Sequence, residues 1–157
     1  MSSLTANIKL FDQRFRLLHE RSLAAAAAMP DALLFKDPGN RRSASFGEYL
    51  LRSAGAVEQT FGGITARLWD DPFEWTLPEE LSTNHKIAGY LNEVESARIR
   101  GFAFFQTDAD LAKLIPAPEE MVSIHELLLA TLARAENFQG RALAVLHLLA
   151  GTPLPRV

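Results

Sequence analysis

The stretch Ser123–Gly151, SIHELLLATLARAENFQGRALAVLHLLAG, constrains the fold most because it predicts one long, uninterrupted helix. Ser123 followed by Glu126 is a capping box, in which each side chain satisfies a backbone amide of the first helical turn. Gly151 suits the left-handed residue that follows a helix end, and Pro153 prevents the helix from resuming. About 27 residues at roughly 1.5 Å each give a helix about 40 Å long.

Apolar residues cover more than one face of this helix. The main row recurs at spacings of three and four and consists of Ile124, Leu127, Leu128, Thr131, Ala135, Phe138, Ala142, Val145 and Leu149. A second row consists of Leu129, Leu132, Leu143 and Leu146. A helix that is apolar around so much of its circumference is either central in the fold or shared with another subunit. We therefore predict that it is the last helix of a bundle and that it contributes to a homodimer interface.

Three further amphipathic helices are predicted from apolar periodicity and from end signals. Pro30 ends the first helix, Ser45 with Glu48 opens the second, and Thr76 with Glu79 opens the third. The four predicted helices cover about 4–29, 46–69, 78–106 and 124–150. Four such helices in a chain of 157 residues predict an all-α four-helix bundle, with 1–157 forming a single domain. The connections are long enough to permit crossovers, so loop length leaves the spatial order of the helices open.

The segments between the helices carry weaker signals. Leu33, Leu34 and Phe35 are expected to fold back over one end of the bundle. Gly55, Gly62 and Gly63 each destabilise a helix interior by up to about 1 kcal/mol relative to alanine, so they indicate a close contact between helices or a kink after Phe61. After the third helix we expect a short helical turn, and a stiff Pro-Ala-Pro link then leads into the last helix.

Composition excludes several classes of function. Sixteen basic and nineteen acidic residues give a net charge of −3, which provides no electrostatic footprint for nucleic acid. The absence of cysteine rules out disulfides, thiolate metal sites and a cysteine nucleophile. No apolar run approaches the ~18 residues of a membrane span. The alanine run Ala24–Ala28 follows acidic residues and comes too late for a signal peptide, so we expect a cytoplasmic protein without membrane contact.

The residues that could carry chemistry are scattered. The four histidines are His19, His85, His125 and His147. The last two lie 22 residues apart on one helix, roughly 33 Å, so they cannot share a metal ion. The mid-helix acids are Glu58, Glu93, Glu95 and Glu136. We expect most of these acids to be solvated and one or two to be buried against Arg98 or Arg134.

Two segments, together with their spacing and the chain length, resemble the DinB/YfiT-like family of bacterial helical bundles. The segments are Ser45–Phe61 (SFGEYLLRSAGAVEQTF) and Ser123–Pro153, which ends in LAGTP. The resemblance implies a four-helix bundle of the DinB type. Members that bind metal place one histidine on the second helix and two on the last, in a pattern like H-x-x-x-H-R-G-Q. Residues four apart lie on one helix face, and a third imidazole from the facing helix leaves coordination positions open for water or substrate.

In this chain the resemblance places other residues at the three ligand positions. Phe138–Arg141 (FQGR) falls on the H-R-G-Q element, so Phe138 and Arg134 take the two last-helix positions. Ser53 takes the position on the second helix, and only the glycine, Gly140, is kept. None of the three is a histidine, and an arginine would repel a cation. The resemblance therefore implies a bundle without the family's metal site, and we predict neither metal nor cofactor.

The favoured hypothesis is a DinB-like bundle that acts as a ligand-binding or structural homodimer. Its predicted pocket is lined by Ser53, Arg134 and Phe138, with Asn137 or Arg141 nearby. An arginine in such a pocket can pair with a small anionic ligand or with Glu58.

Two alternatives belong to other classes. The first is a metal-dependent hydrolase or thiol-adduct transferase with a rebuilt site, which would use His19 or His85 with acids such as Glu58 or Glu136. The second is an adaptor that presents the apolar face of the last helix to another protein. A homodimer covers the same face with fewer assumptions.

Overall fold

The structure is a computed structural model that describes residues 5–39, 43–72, 79–151 and 153. It confirms the prediction of an all-α fold. The helices are α1 (Ala6–Ala28), α2 (Phe46–Ala66), α3 (Asn84–Phe102) and α4 (Ile124–Ala150). Short 3-10 turns cover Asp31–Leu33 and Asp108–Ala112, and the strands are β1 (Leu114–Pro116) and β2 (Met121–Ser123).

Each helix packs mainly against two neighbours, in the cyclic order α1, α3, α2, α4. Helices α1 and α4 run parallel, which two contacts establish. Near the start of both helices, the Phe11 ring meets the edge of the His125 ring at a centroid distance of 5.4 Å. Further along both, the Gln139 amide donates a hydrogen bond to the Leu18 carbonyl at 2.7 Å.

Helix α2 runs antiparallel to α4, because their paired residues progress in opposite directions. Ser53 Oγ donates to the Ala135 carbonyl at 2.7 Å, whereas Thr60, further along α2, contacts Thr131, earlier in α4. All four groups are buried in the interface between these two helices. Both contacts join polar groups, so the interface has one preferred register.

Helix α3 runs antiparallel to α1, and therefore parallel to α2. Arg98 pairs with Asp12, and the Asn84 amide at the start of α3 donates to Asp31 just after α1. Taken in chain order from α1 to α4, the helices of the bundle thus run up, down, down and up. This arrangement settles the order of the helices, which the sequence left open.

Four aromatic rings occupy the centre of the bundle and join three helices. Phe15, Phe61 and Phe102 lie in mutual contact at centroid distances of 5.6–5.9 Å, and Phe105 packs on Phe102 at 5.4 Å. Gly101 makes this approach possible, because a Cβ there would lie 2.5 Å from Phe61 Cδ1. The absence of a side chain at this position therefore sets the distance between α2 and α3.

We expect opposite effects from two glycine substitutions on α3. Gly101→Ala should lower the free energy of unfolding by about 1–3 kcal/mol, because buried Phe61 has no space to move into. Gly89→Ala should raise it by about 0.5–1 kcal/mol, because its Cβ would meet nothing within 4 Å. Urea denaturation of both variants measures the difference. If both substitutions change the free energy of unfolding by the same amount and in the same direction, Gly101 does not set the contact with Phe61.

The side chain of Arg98 is almost fully buried, at 2% exposure, and it links α1 to α3. Its guanidinium pairs with Asp12 at 2.7 Å and with Glu95 at 2.5 Å, and it lies 5.0 Å from the centroid of the Phe102 ring. Burial alone lowers the pKa of Arg98, but the hydrogen bonds that it donates to Glu95 and Asp12, together with their negative charges, outweigh burial, so the pKa is raised. Glu95 is thus a mid-helix acid buried against Arg98, as the sequence predicted.

Removing the Glu95 carboxylate should leave the buried Arg98 charge with one partner fewer. We expect Glu95→Ala to lower the free energy of unfolding by about 1.5–3 kcal/mol, the range for hydrogen bonds to charged groups. Glu93→Ala, at an exposed position on the same helix, should change it by less than about 0.5 kcal/mol. Thermal and urea unfolding measure both changes. If the Glu95 variant is as stable as the Glu93 variant, Glu95 does not stabilise the buried charge of Arg98.

The bounds of α4 agree with the sequence prediction at both ends. Ser123 Oγ accepts a hydrogen bond from the Glu126 amide at 3.1 Å, and Gly151 adopts a left-handed φ of 68°. Gln139 belongs to neither of the predicted apolar rows of this helix, yet it is buried. Its polar side chain is buried because its amide donates to the Leu18 carbonyl and to Ser22 Oγ.

Helix α2 ends three residues earlier than predicted, at Ala66 rather than at 69. Arg67 adopts a left-handed φ of 59°, and its amide donates to the Gly63 carbonyl at 3.1 Å. This bond from the left-handed residue to the carbonyl four residues earlier is the αL type of helix cap, and the Leu68 amide donates in addition to the Gly62 carbonyl at 3.2 Å. Leu68 consequently lies beyond the helix end and is 60% exposed.

Helix α3 begins later than the predicted residue 78. Residues 79–83 lie in turns and bends, and Thr83 is the N-cap, its Oγ1 accepting from the Lys86 amide at 3.2 Å. The predicted capping residue Thr76 lies outside the described residues. The helix also ends earlier, at Phe102 rather than at 106.

The connection between α3 and α4 contains the predicted short helical turn, at Asp108–Ala112, but the predicted stiff Pro-Ala-Pro link is instead part of a pair of strands. Strands β1 and β2 pair antiparallel, with Leu114 opposite Ser123 and Pro116 opposite Met121. Three residues per strand are too few to show an alternating pattern. The preceding 3-10 turn places the Asp108 carboxylate on the first amides of α1, so this connection also caps the first helix.

The segment after α1 folds back over the bundle, as predicted. Leu34 is fully buried, and its carbonyl accepts a hydrogen bond from the Gly47 amide at 2.7 Å. The Phe35 ring occupies the space that a Cβ on Gly47 would take. Gly47 therefore lets this segment close one end of the core.

Candidate functional site

The structure brings two of the three predicted pocket residues to one cavity. Arg134 and Phe138 line a cavity of about 130 Å³, the Phe138 cavity, together with Arg52, Ala56 and Asp71. The third predicted residue, Ser53, is 1% exposed, and its hydroxyl is bound to the Ala135 carbonyl. Ser53 therefore fixes the interface beneath the cavity and does not line it.

The residues at the family's ligand positions do not fit a metal ion. The Ser53 hydroxyl proton is bound to a backbone carbonyl, Arg134 is a cation, and Phe138 has no donor atom. Among residues 5–39, 43–72, 79–151 and 153, no group of three or more His, Asp or Glu side chains could hold a metal ion. We therefore derive no chemistry through a metal at this position.

Arg134 is held by a neutral partner. Its Nη2 donates to Gln59 Oε1 at 2.9 Å, and Gln59 Nε2 donates in turn to the Trp69 carbonyl at 2.8 Å. The suggested alternative partner, Glu58, instead accepts a hydrogen bond from the Tyr90 hydroxyl at 2.6 Å in the neighbouring α2–α3 groove. The possible pairing of Arg134 with Glu58 is therefore wrong, because Arg134 binds Gln59 and the Glu58 carboxylate binds the Tyr90 hydroxyl.

Arg134 also lines a second, larger cavity of about 250 Å³, the Trp69 cavity. The helices α2 and α4 form its floor, and the connections before α3 and before α4 contribute walls. Its apolar residues include Trp69, Pro118, Leu127 and Ala130, and its polar residues are Gln59, Thr60, Thr131 and Arg134. None of the described residues that line it is acidic.

The floor of the Trp69 cavity contains two hydroxyls whose protons are both used. Thr131 Oγ1 donates to the Leu127 carbonyl at 2.7 Å, so its only proton is committed. Thr60 Oγ1 lies 2.6 Å from Thr131 Oγ1 and must therefore be the donor of that pair. Neither hydroxyl retains a proton for a ligand.

Gly63 positions the indole wall of the cavity. The Trp69 ring lies where a Cβ on Gly63 would be, so the ring packs directly on the helix backbone. The sequence predicted a close contact between helices or a kink at this glycine, whereas the contact that Gly63 permits is with Trp69, in the connection after α2. The signal was present in the sequence, but nothing local identified Trp69 as the partner.

Arg141, which the sequence suggested as a neighbour of the pocket, lines neither cavity. Its guanidinium carbon lies 5.9 Å from the centroids of both the Tyr49 and the Phe138 rings. The hydrogen bond with Ser43, and then that from the Ala44 amide, lower the pKa of Tyr49, and Arg141 adds to the effect. Arg141 therefore belongs to a cluster at the start of α2.

The residues suggested for a rebuilt metal site lie on separate parts of the bundle. Glu58 faces Tyr90 between α2 and α3, whereas Glu136 lines a groove between α1 and α4. His19 is half-buried on α1, and His85 is exposed in the first turn of α3. The two acids therefore do not share a site.

The groove between α1 and α4, the α1–α4 groove, has a volume of about 590 Å³. Its lining includes Leu10, Phe11, Arg14, Leu129, Leu132 and Glu136. Leu10 is 53% exposed and Leu129 is 60% exposed, so part of the predicted second row of α4 faces outward. Leu146 does not belong to this surface, because it is buried in the core at 3% exposure.

No family model matches the chain, and neither does any curated protein or solved structure. The resemblance to the DinB/YfiT-like family therefore stays a prediction based on the two segments from which it was drawn. Over the part of the chain that the structure describes, none of the helices has the length and apolarity to cross a membrane.

Proposed function

We propose that the protein is a ligand-binding homodimer of the DinB-like type, which acts without the family's metal site and takes a small anionic ligand beside Arg134. One observation carries this proposal. The Arg134 guanidinium lines both cavities between α2 and α4, and its hydrogen-bond partner there is the neutral Gln59 amide. Among the described residues that line the Trp69 cavity there is no carboxylate, so the positive charge of Arg134 is not neutralised on that side. The Phe138 cavity differs, because Asp71 lines it together with Arg52.

The chemistry of arginine supports an anion as the ligand. A guanidinium has five N–H donors in a planar arrangement that matches the two oxygens of a carboxylate or phosphate. Such charge-assisted bonds are roughly twice as strong as neutral ones. Gln59 fixes the side chain through Nη2, which holds the remaining donors in place.

We expect small anions to stabilise the protein through Arg134. A ligand at a hundredfold excess over its Kd contributes about 2.7 kcal/mol, which raises the Tm by roughly 5–10 °C in a chain of this size. Thermal unfolding with inorganic phosphate and with small carboxylates measures this shift. The shift should be lost in Arg134→Gln and kept in Arg141→Gln, which removes the other arginine of α4.

The comparison of the two variants separates specific from general effects of ions. If both variants keep the shift, the anions act through overall charge or ionic strength, and the proposed site is wrong. If no anion stabilises the wild-type protein at any concentration, the ligand-binding proposal itself fails.

The homodimer proposal is supported by the α1–α4 groove. Exposed leucines line it, and it also contains Arg14 and Glu136, neither of which forms an ion pair within the described residues. In a two-fold symmetric contact, the same patch meets itself, so Arg14 of one copy can face Glu136 of the other. A second copy of the chain therefore complements both the apolar surface and its charges.

We expect a mass of twice the 17.4 kDa of one chain by size-exclusion chromatography with light scattering. Leu129→Glu should produce a monomer, because it places a charge in the apolar contact. Leu148→Glu is the control, since Leu148 is 67% exposed on the same helix but does not line the groove. This variant should remain a dimer.

Exchange of the two charges tests the symmetry of the contact. Arg14→Glu alone should weaken the dimer, and the double variant Arg14→Glu with Glu136→Arg should restore it. A monodisperse wild-type monomer would refute the homodimer and favour the adaptor alternative, in which another protein covers this groove.

A further inference from the structure

We propose that the Trp69 cavity binds a small aromatic carboxylic acid, with its carboxylate at Arg134 and its ring against Trp69. This inference rests on the proposed anion site and names both the cavity and the class of ligand. It follows from the distribution of hydrogen-bond donors in the cavity, from the character of its walls and from its size.

The donors that remain available lie at one end of the cavity. Arg134 uses one N–H on Gln59 Oε1, and Gln59 uses one N–H of its amide on the Trp69 carbonyl. Each side chain keeps further N–H groups. Because the two side chains touch each other, these groups form one cluster, which suits the paired oxygens of a single carboxylate.

The opposite end of the cavity cannot hold a polar ligand well. The Thr60 and Thr131 hydroxyls have no free proton, and the remaining floor includes Leu127 and Ala130. A phosphate or sugar that filled the cavity would leave several oxygens without donors, which disfavours binding. The body of the ligand should therefore be apolar.

The shape of the walls favours a flat body. The Trp69 indole forms one wall and is backed by the α2 helix at Gly63, while Pro118 contributes another wall. Aromatic rings stack or pack edge to face against indole with a gain of about 0.5–1.5 kcal/mol beyond the area buried. The volume of about 250 Å³ lies below the ~300–1,000 Å³ of sites for larger ligands, which favours a ligand with a single ring.

The neighbouring Phe138 cavity is less suited to the same ligand. It shares Arg134, but it measures only about 130 Å³ and the Asp71 carboxylate lines it. Arg52 also lines it, so its two arginines and one carboxylate leave a mixed set of charges. Among the described residues that line the Trp69 cavity, Arg134 is the one charged side chain and the volume is about 250 Å³, so this cavity suits the ligand better.

Fluorescence of Trp69 provides the test. The chain has two tryptophans, and the full-length variant Trp75→Phe leaves Trp69 as the only one. Phenylacetate is titrated into this variant, with phenylacetamide as a neutral probe of the same shape and inorganic phosphate as an anion without a ring. We expect saturable quenching by phenylacetate, binding of phenylacetamide at least about tenfold weaker, and no quenching by phosphate.

Two further substitutions, each in the Trp75→Phe background, locate the probe. Arg134→Gln should weaken phenylacetate binding by about tenfold to a hundredfold. Ala130→Phe should abolish it, because the added ring fills the cavity from an exposed helix position. Arg141→Gln is the matched control and should bind as the parent does. Circular dichroism verifies that each variant is folded.

The outcomes distinguish this inference from the proposed function. If phosphate stabilises the protein through Arg134 and phenylacetate binds no better than phosphate, the anion site stands and the aromatic ligand class is refuted. Equal binding of phenylacetate and phenylacetamide would refute a carboxylate at Arg134 in this cavity, whereas the anion site itself fails only if Arg134→Gln keeps the thermal shift caused by phosphate. Binding of phenylacetate that survives Ala130→Phe would refute the choice of cavity.

Discussion

The register between α2 and α4 is fixed by two buried hydrogen bonds, and the candidate site depends on it. Ser53 Oγ binds the Ala135 carbonyl, and Thr60, about two turns further along α2, binds Thr131, about one turn earlier in α4. A slide of one helix along the other would leave these groups unsatisfied, at about 1–3 kcal/mol for each buried group. Arg134 neighbours Ala135 in the chain, so the same register brings it within reach of α2. The position of its guanidinium therefore follows from the core of the bundle.

The sequence predicted the fold class and predicted α4 to the residue, because both ends of that helix carry side-chain signals. The ends of α2 and α3 were less predictable. Arg67 ends α2 in a left-handed conformation that is uncommon for a residue other than glycine, and Thr83 caps α3 where the sequence offered an earlier signal. The parallel arrangement of α1 and α4 depends on long-range contacts, which periodicity within a single helix does not encode.

The candidate site was predictable only in part. The resemblance selected Arg134 and Phe138, and the structure places both on one cavity. Ser53 came from the same alignment, but burial gives its hydroxyl a structural role. Gln59 and Trp69 were missed because their importance comes from a chain of hydrogen bonds across α2, its following connection and α4. These hydrogen bonds form only after the helices have packed together, so no local sequence pattern predicts them.

The Trp69 cavity combines a rigid floor with walls drawn from the connecting segments. Trp69 follows the end of α2, and Ala117 and Pro118 lie between the paired strands β1 and β2. Neither of these wall segments contributes to the aromatic centre of the bundle. Trp69 also packs against the core, but Ala117 and Pro118 do not belong to it, so substitutions at these two positions can reshape the cavity while the helices keep their packing. Over evolutionary time, the outline of this cavity can change by drift in a few wall residues, without passing through unfolded intermediates.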